Sequence, residues 1–387
     1  MTSAGALIRF YTTTIIFLGY LLGSSVGFAA QSTNHNRAFI VTGANGYVGR
    51  EIVHTLTKDD ATKDDCILCL VREHRVKEET SYWKDHKADN VAVMPYDMLD
   101  GGETLRSALQ RASEMTIGSG GDGADQKEND DGSTKGSANC RTCLLHVASN
   151  FGPSENHSDT ALKNVKGAED VVRICADFPD TRLVLTSSTA AVRGTGQPPL
   201  NGKAYTHLDW NTKSELGLNW GNSYQWSKAE SERRAWALSK ELGVDMVSLC
   251  PSFIFGPTTD GRFESGSYSI TLVRQWVNGE SEVQSRLCVD VRDIALAHVR
   301  AGITDTAVGK RILVSAERRL PSNELAEVLK GVSPNPDKIY YDAVFDGGAI
   351  KIGDQEVECL DRLKEELGIV PRSAQETFHD MAAQLVP

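Results

Sequence analysis

Two side chains that could share a proton, Tyr224 and Lys228, stand four residues apart in the stretch S-Y-Q-W-S-K at 223–228. On a helix, positions i and i+4 lie on one face, so phenol and ammonium would point at the same spot. A free tyrosine titrates at about 10, too high for efficient proton exchange near neutrality, and a neighbouring ammonium favours the phenolate and lowers that value. Alone, such a pair is common surface decoration; its company gives it meaning. Upstream, T-S-S-T-A at 186–190 places Ser188 at the end of the apolar run R-L-V-L, and strand C-termini are where open α/β sheets hold their ligands. Nearer the start, T-G-A-N-G-Y-V-G carries Gly43, Gly46 and Gly49. Small residues at such a turn let the backbone approach a pyrophosphate, and a helix N-terminus behind it favours anions through its free N–H groups and dipole. This G-x-x-G-x-x-G differs from the G-x-G-x-x-G form in its first interval.

Alternating elements must position these residues. R-A-F-I-V-T is an apolar strand before the glycine turn, and Y-V-G-R-E-I-V-H-T-L continues with helical apolar spacing. Further strands read C-I-L-C-L-V, V-A-V-M-P, C-L-L-H-V-A-S, R-L-V-L-T-S-S and V-D-M-V-S-L-C-P. Helices are predicted between them, around Glu103–Ala112, over Thr160–Phe178 and through Tyr224 and Lys228. That alternation predicts an α/β fold, a doubly wound parallel sheet covered on both faces. The texture changes near Gly256, so a large domain over 37–255 and a smaller one over 256–387 are expected. Residues 116–139 contain almost nothing apolar and read as a polar surface insertion.

The 387 residues allow more than one domain, with 40% hydrophobic and 24% charged side chains as in ordinary globular chains. A net charge of -11 argues against a nucleic-acid or anionic-membrane surface as the main partner. Eight cysteines are too few for a dense disulfide framework. Strand alternation sends Cys66 and Cys69 to opposite faces of a sheet. Cys140 and Cys143 lack a partner pair at zinc spacing, so no metal is expected, and His146 reads as a core residue. Residues 1–36 hold one arginine, Arg9, then an apolar run and small residues near Gly27–Ala30. This is the layout of a secretory signal, and the run is also long enough for an uncleaved membrane anchor. The S-V-G-F-A-A stretch also resembles bipartite plastid presequences of algae with complex plastids, so the expected destinations are the secretory route or a plastid.

From about Arg37 to Val386 the chain resembles the extended short-chain dehydrogenase/reductase family. T-G-A-N-G-Y-V-G, Ser188 with the Tyr224–Lys228 pair, and C-P-S-F-I-F-G-P at 250–257 stand in the family's order, with Cys250 where the family has Asn. V-R at 71–72, Y-Q-W-S-K-A-E-S-E and V-D-V-R-D-I-A-L-A-H-V look most like the subgroup of dihydroflavonol reductases, cinnamoyl-CoA reductases and 3β-hydroxysteroid dehydrogenases. The resemblance implies a Rossmann-type fold, with dinucleotide binding by 37–255 and substrate binding by 256–387, and hydride transfer between a nicotinamide and a carbonyl or secondary alcohol of an apolar small-molecule substrate. Tyr224 would be the general acid/base at the substrate oxygen. Ser188 would donate a hydrogen bond to that oxygen, and Lys228 would tune Tyr224 and hold the nicotinamide ribose. The cofactor residues it implies are Gly43, Asn45, Gly46, Tyr47, Val48 and Gly49 at the turn, Arg72 and Lys77 after the second strand, and Asp97 and Met98 after the third. Val147, Ala148 and Ser149 follow the fourth strand, and Pro251, Phe253 and Ile254 the later one, with Tyr224 and Lys228 completing the set.

NAD-selecting relatives place Asp or Glu at the end of the second strand to accept from the ribose 2′-OH. Here Arg72 occupies that place, with Arg75 and Lys77 close behind, and a guanidinium suits a 2′-phosphate, so NADP is expected. Glu73 sits one residue away and would bring a carboxylate forward in a shifted register. A nucleotide-sugar epimerase and a non-catalytic dinucleotide-binding protein are the alternatives on this scaffold. Thr189-Ala190 stands where sugar 4,6-dehydratases carry an acidic pair, which argues against dehydration. Flavonoid reductases carry Asn or Asp five positions after the serine; Arg193 is there instead and argues against flavonoids. Trp210, Trp220, Trp226, Phe151 and Phe253 are candidates to line an apolar substrate pocket.

Overall fold

The computed structural model describes residues 37–117, 141–153, 155–202, 204–261, 267–342 and 358–386. The expected leader at 1–36 and all but the first two positions of the expected insertion at 116–139 lie outside the described residues. The described residues form one compact unit. Its elements run β1 (Ala38–Thr42), α1 (Tyr47–Lys58), β2 (Cys66–Val71), α2 (Val76–Asp85), β3 (Val91–Pro95), α3 (Glu103–Ile117), β4 (Thr142–His146) and α4 (His157–Ala176). They continue as β5 (Thr181–Thr186), α5 (Thr189–Val192), α6 (Trp220–Leu242), β6 (Met246–Pro251), β7 (Phe253–Phe255), α7 (Tyr268–Val277), β8 (Cys288–Asp290) and α8 (Val291–Ile303). The last are β9 (Arg311–Val314), α9 (Ser322–Lys330), α10 (Glu358–Leu367) and α11 (Ala374–Leu385).

Seven strands form one parallel sheet in the order β3-β2-β1-β4-β5-β6-β9. Strand alternation divides the core. Phe39, Val41, Ile67 and Cys69 meet Ile52 and Leu56 of α1 and Ile294 and Val299 of α8 on one face. Ala38, Ile40, Cys66 and Leu68 meet Leu105 of α3, Val172 of α4 and Leu238 of α6 on the other. Both faces are apolar, which is why the strands read as continuous hydrophobic runs. Cys66 and Cys69 part as alternation requires.

The order reverses direction between β1 and β4, whose ends pair at Thr42 and His146. Such a switch point opens a crevice outside the carboxyl ends of the strands. β7 and β8 form a separate two-stranded parallel sheet. Phe255, Trp276, Leu325 and Phe378 gather in a third apolar cluster formed by β7, α7, α9 and α11. β9 and α8 lie beyond residue 255 and yet complete the large sheet and its cover, so the two expected domains interlace along the chain.

Candidate active site

The glycine turn occupies the switch point. Gly43 has φ +67°, and its amide donates to Leu70 O at 2.9 Å, tying the turn to the end of β2. A Cβ on Gly49 would lie 2.2 Å from Gly43 O, so only glycine lets α1 start this close to β1. Gly46 caps α1, with neither a side-chain cap nor an acidic residue in the first turn. The first amides of α1 therefore have no side-chain acceptor of their own, which fits a pyrophosphate. Asn45 is half-buried at this turn, and Val48 packs its side chain against the core. Tyr47 turns away, and its hydroxyl donates to Gly256 O at 2.6 Å, which fastens the turn to the chain after β7.

β4 delivers the facing wall. The Thr42 hydroxyl oxygen accepts from the amides of Val147 (3.0 Å) and Ala148 (3.1 Å), so its proton goes to His146 Nδ1 at 3.0 Å. Burial pushes His146 down to about 3, which keeps it a neutral acceptor. His146 is the core residue expected, and it shapes the backbone that Val147, Ala148 and Ser149 present.

Arg72 and Lys77 are exposed past β2, and among the described residues no carboxylate pairs with Arg72. Asp97 accepts from the amide of Leu99 at 2.9 Å, and Met98 packs over Gly167 of α4. Pro251 is buried at the end of β6, and Ile254 packs against the core under β7.

α6 carries the proton-handling pair. Its cap, Asn219, accepts from the amide of Asn222 at 2.9 Å, and Gly243 at φ +71° ends it. The intervening turns place Tyr224 and Lys228 on one face. Ser188 caps α5, accepting from the Ala190 amide at 3.1 Å, and its hydroxyl is close enough to Tyr224 to favour the phenolate. Lys228 Nζ donates to Thr186 O at 3.3 Å and Ser149 Oγ at 3.5 Å, and lies 6.0 Å from the Tyr224 ring centre. Thr186 is itself held by His298, which donates Nδ1–H to Ile294 O (2.7 Å) and accepts from the Thr186 hydroxyl at Nε2 (2.7 Å). Burial lowers His298 to about 4, so it too is neutral.

The expected lowering of Tyr224 by Lys228 is corrected here. Burial pushes Tyr224 up to about 12, and the nearby Ser188 hydroxyl only partly offsets it. Burial lowers Lys228 to about 8, against the opposing influence of Cys250 and Glu232. Desolvation outweighs the pair's attraction because the ammonium faces Thr186 and Ser149 more closely than the phenol. Near neutrality the phenol keeps its proton and the lysine its charge.

Phe151 packs 4.8 Å from Tyr224, with Trp220 at 6.0 Å and Tyr268 at 5.9 Å from Phe151. Phe253 follows at 6.4 Å from Tyr268, so it belongs to this aromatic wall. Trp210 instead stacks on Arg311 at 3.9 Å, and Trp226 lines a separate groove with Asn211, Thr212 and Arg233. Neither lines the wall with Phe151.

The residue that sequence reasoning missed is Glu232, one turn beyond Lys228. It is fully buried and accepts from Ser187 Oγ (2.8 Å), Ser248 Oγ (2.6 Å), and Arg311 through Nε (2.8 Å) and Nη2 (3.0 Å). Although burial opposes ionisation, Arg311 and the two hydroxyls hold its carboxyl below the usual range. The signal was present: Tyr224, Lys228 and Glu232 fall at successive i+4 positions. Its partner Arg311 begins β9, far along the sequence.

Comparison with known proteins agrees with this geometry. Residues 41–284 match the NAD-binding family model described as "Male sterility protein". Cinnamoyl-CoA reductase 1 of Arabidopsis thaliana is 31% identical over 44% of this chain and 48% of its own length. That match thus spans about half of the relative. Tetraketide alpha-pyrone reductase 2 of the same plant is 25% identical over 77% of this chain and 83% of its own. Among solved structures, Gre2 of Candida albicans in complex with NADPH superposes with a TM-score of 0.72 at 22% identity, over 90% of this chain and 98% of that one. With the glycine turn, the serine and the Tyr–Lys pair in one crevice, the chain belongs to the extended short-chain dehydrogenase/reductase family.

Proposed function

We propose that the protein is an NADP-dependent oxidoreductase that reduces the carbonyl of a small aldehyde or ketone. The carrying observation is the convergence of Ser188, Tyr224 and Lys228 beside the glycine turn at the switch point of the sheet. Bound there, the dinucleotide would supply the hydride. Gly43, Gly46 and Gly49 would allow close backbone approach to its pyrophosphate, and Lys228 would donate to the nicotinamide ribose. Arg72, exposed and without a carboxylate partner among the described residues, suits a 2′-phosphate better than a hydroxyl. Tyr224, protonated near neutrality, donates its proton to the carbonyl oxygen, and Ser188 donates a hydrogen bond to the same atom. The reverse oxidation of a secondary alcohol uses the same groups. Relatives named as reductases support the direction chosen.

The test is oxidation of NADPH and NADH by the full chain against a panel of aldehydes and ketones. NADPH should be preferred. Tyr224→Phe should lower turnover by about 10²-fold or more while cofactor affinity is kept, because only the proton donor is removed. Undiminished turnover in that variant refutes the mechanism.

A further inference from the structure

At the end of the aromatic wall farther from Tyr224, the ring of Phe253 meets a guanidinium. Arg286 Cζ stands 5.7 Å from the Phe253 ring centre and 5.5 Å from that of Trp276. An antiparallel bridge joins Arg286 to Leu320, with N to O distances of 3.2 and 2.9 Å, and this sets Arg319 beside it. Both guanidiniums converge on one carbonyl: Arg286 Nη1 donates to Ser285 O at 2.9 Å and Arg319 Nη1 to the same oxygen at 3.4 Å. Arg193 is the third cation. It follows α5, the short helix that Ser188 caps, and its guanidinium lies 5.8 Å from the Tyr205 ring centre. Burial lowers Arg319 to about 10, and the charges of Arg193 and Arg286 push it the same way.

Among the described residues, no carboxylate forms an ion pair with Arg193 or Arg286, and the buried Arg286 Nε has no hydrogen-bond partner. Packing accounts poorly for the group. A cation–π contact contributes little at an exposed site, whereas mutually repelling, partly desolvated cations each carry a cost. The chain as a whole carries -11, so two guanidiniums with no carboxylate partner among the described residues, Arg193 and Arg286, stand out against it. The aromatic rings lead from Tyr224 to this cluster. Phe151 and Phe253 are each 46% exposed, which leaves their faces open to a ligand.

Resting on the reductase reading, we propose that the substrate is an amphiphilic anion: a carbonyl carried on an apolar or aromatic body whose carboxylate or phosphate is held by Arg193, Arg286 and Arg319. The body lies along Phe151, Tyr268 and Phe253, and the charged end sets which end of the molecule reaches Tyr224. Guanidinium forks pair with either anion in two-point geometry, so the chemistry shared by the two is what the cluster recognises.

The test separates binding from turnover. The full chain is titrated with phenyl phosphate, benzoate and neutral benzamide at low salt, followed by tryptophan fluorescence. At least one anion should bind about tenfold or more tightly than benzamide, and the tighter of the two identifies the favoured group. Arg286→Gln should remove most of that preference. Arg193→Gln, placed after a helix end, should weaken it too, and serves if Arg286→Gln misfolds. Equal affinity for the three probes overturns the proposal. So does a preference that survives both substitutions, as for an anion seated on the glycine turn. NADPH oxidation is then compared for 4-carboxybenzaldehyde, 4-formylphenyl phosphate and benzaldehyde, and kcat/KM should favour a charged aldehyde by a similar factor. An intact anion preference with no turnover of any aldehyde sinks the reductase reading and leaves the anion site standing.

Discussion

Lys228 is the residue whose environment makes the sharpest pH statement. Burial brings its ammonium to about 8, so it is charged below that value and neutral above it. A neutral amine loses its charge-assisted contact with an anionic cofactor. NADPH affinity of the wild type should therefore fall as pH rises through about 8, and Lys228→Met should bind weakly with no inflection there. The group's effect on stability has the opposite sign. Its folded-state value lies below its unfolded one, so the unfolded chain holds the proton more tightly and this contribution rises with pH from about 8 to the ordinary lysine value. Calorimetric titration from pH 6.5 to 9.5 on both proteins checks the first effect, and an affinity that does not change with pH would contradict it. The residue types and order of Ser188, Tyr224 and Lys228 were legible in the sequence. The direction of the Tyr224 shift was not, because desolvation belongs to the tertiary surroundings and i+4 spacing encodes only the pair.

Elements were legible where apolar periodicity is strong. The runs in β1, β2, β4, β5 and β6 announced buried parallel strands, and α6 announced its pair. Long-range ties were hidden. Nothing local says that Glu232 of α6 meets Arg311 of β9, or that Ser187 and Ser248 share its carboxylate. This cluster joins α6 to β5, β6 and β9 and fixes the strand end from which Ser188 projects. Glu232→Ala would leave Arg311 buried and short of its carboxylate, a loss of about 3–5 kcal/mol. Denaturant melts should show it as a lowered midpoint. Replacing Glu232 and Arg311 together with Leu and Met should recover much of the stability, since the lone buried charge is gone. A double variant as unstable as the single one would mean that packing, and not charge, sets the cost.

At the scale of the whole molecule, the order of the strands decides what can fold alone. A break at residue 255 looks natural in the sequence, where texture changes after C-P-S-F-I-F-G-P. The sheet does not stop there. β9 pairs with β6 through Ser248–Arg311 to Pro251–Val314, and α8 lays Ile294, Ala295 and Val299, all fully buried, on the face that also takes α1. A chain ending at 255 would expose that face, strip the sheet's last strand and leave Glu232 without Arg311. At about 25 cal/mol per Å² of apolar surface, uncovering several core side chains removes more than a domain's usual margin of 5–15 kcal/mol. The truncated chain 37–255 should therefore be largely unfolded or aggregated, while 37–387 folds. Far-UV circular dichroism and limited proteolysis of the two distinguish the outcomes. A soluble, protease-resistant 37–255 that binds NADPH would show that the later segments merely dock on a finished fold.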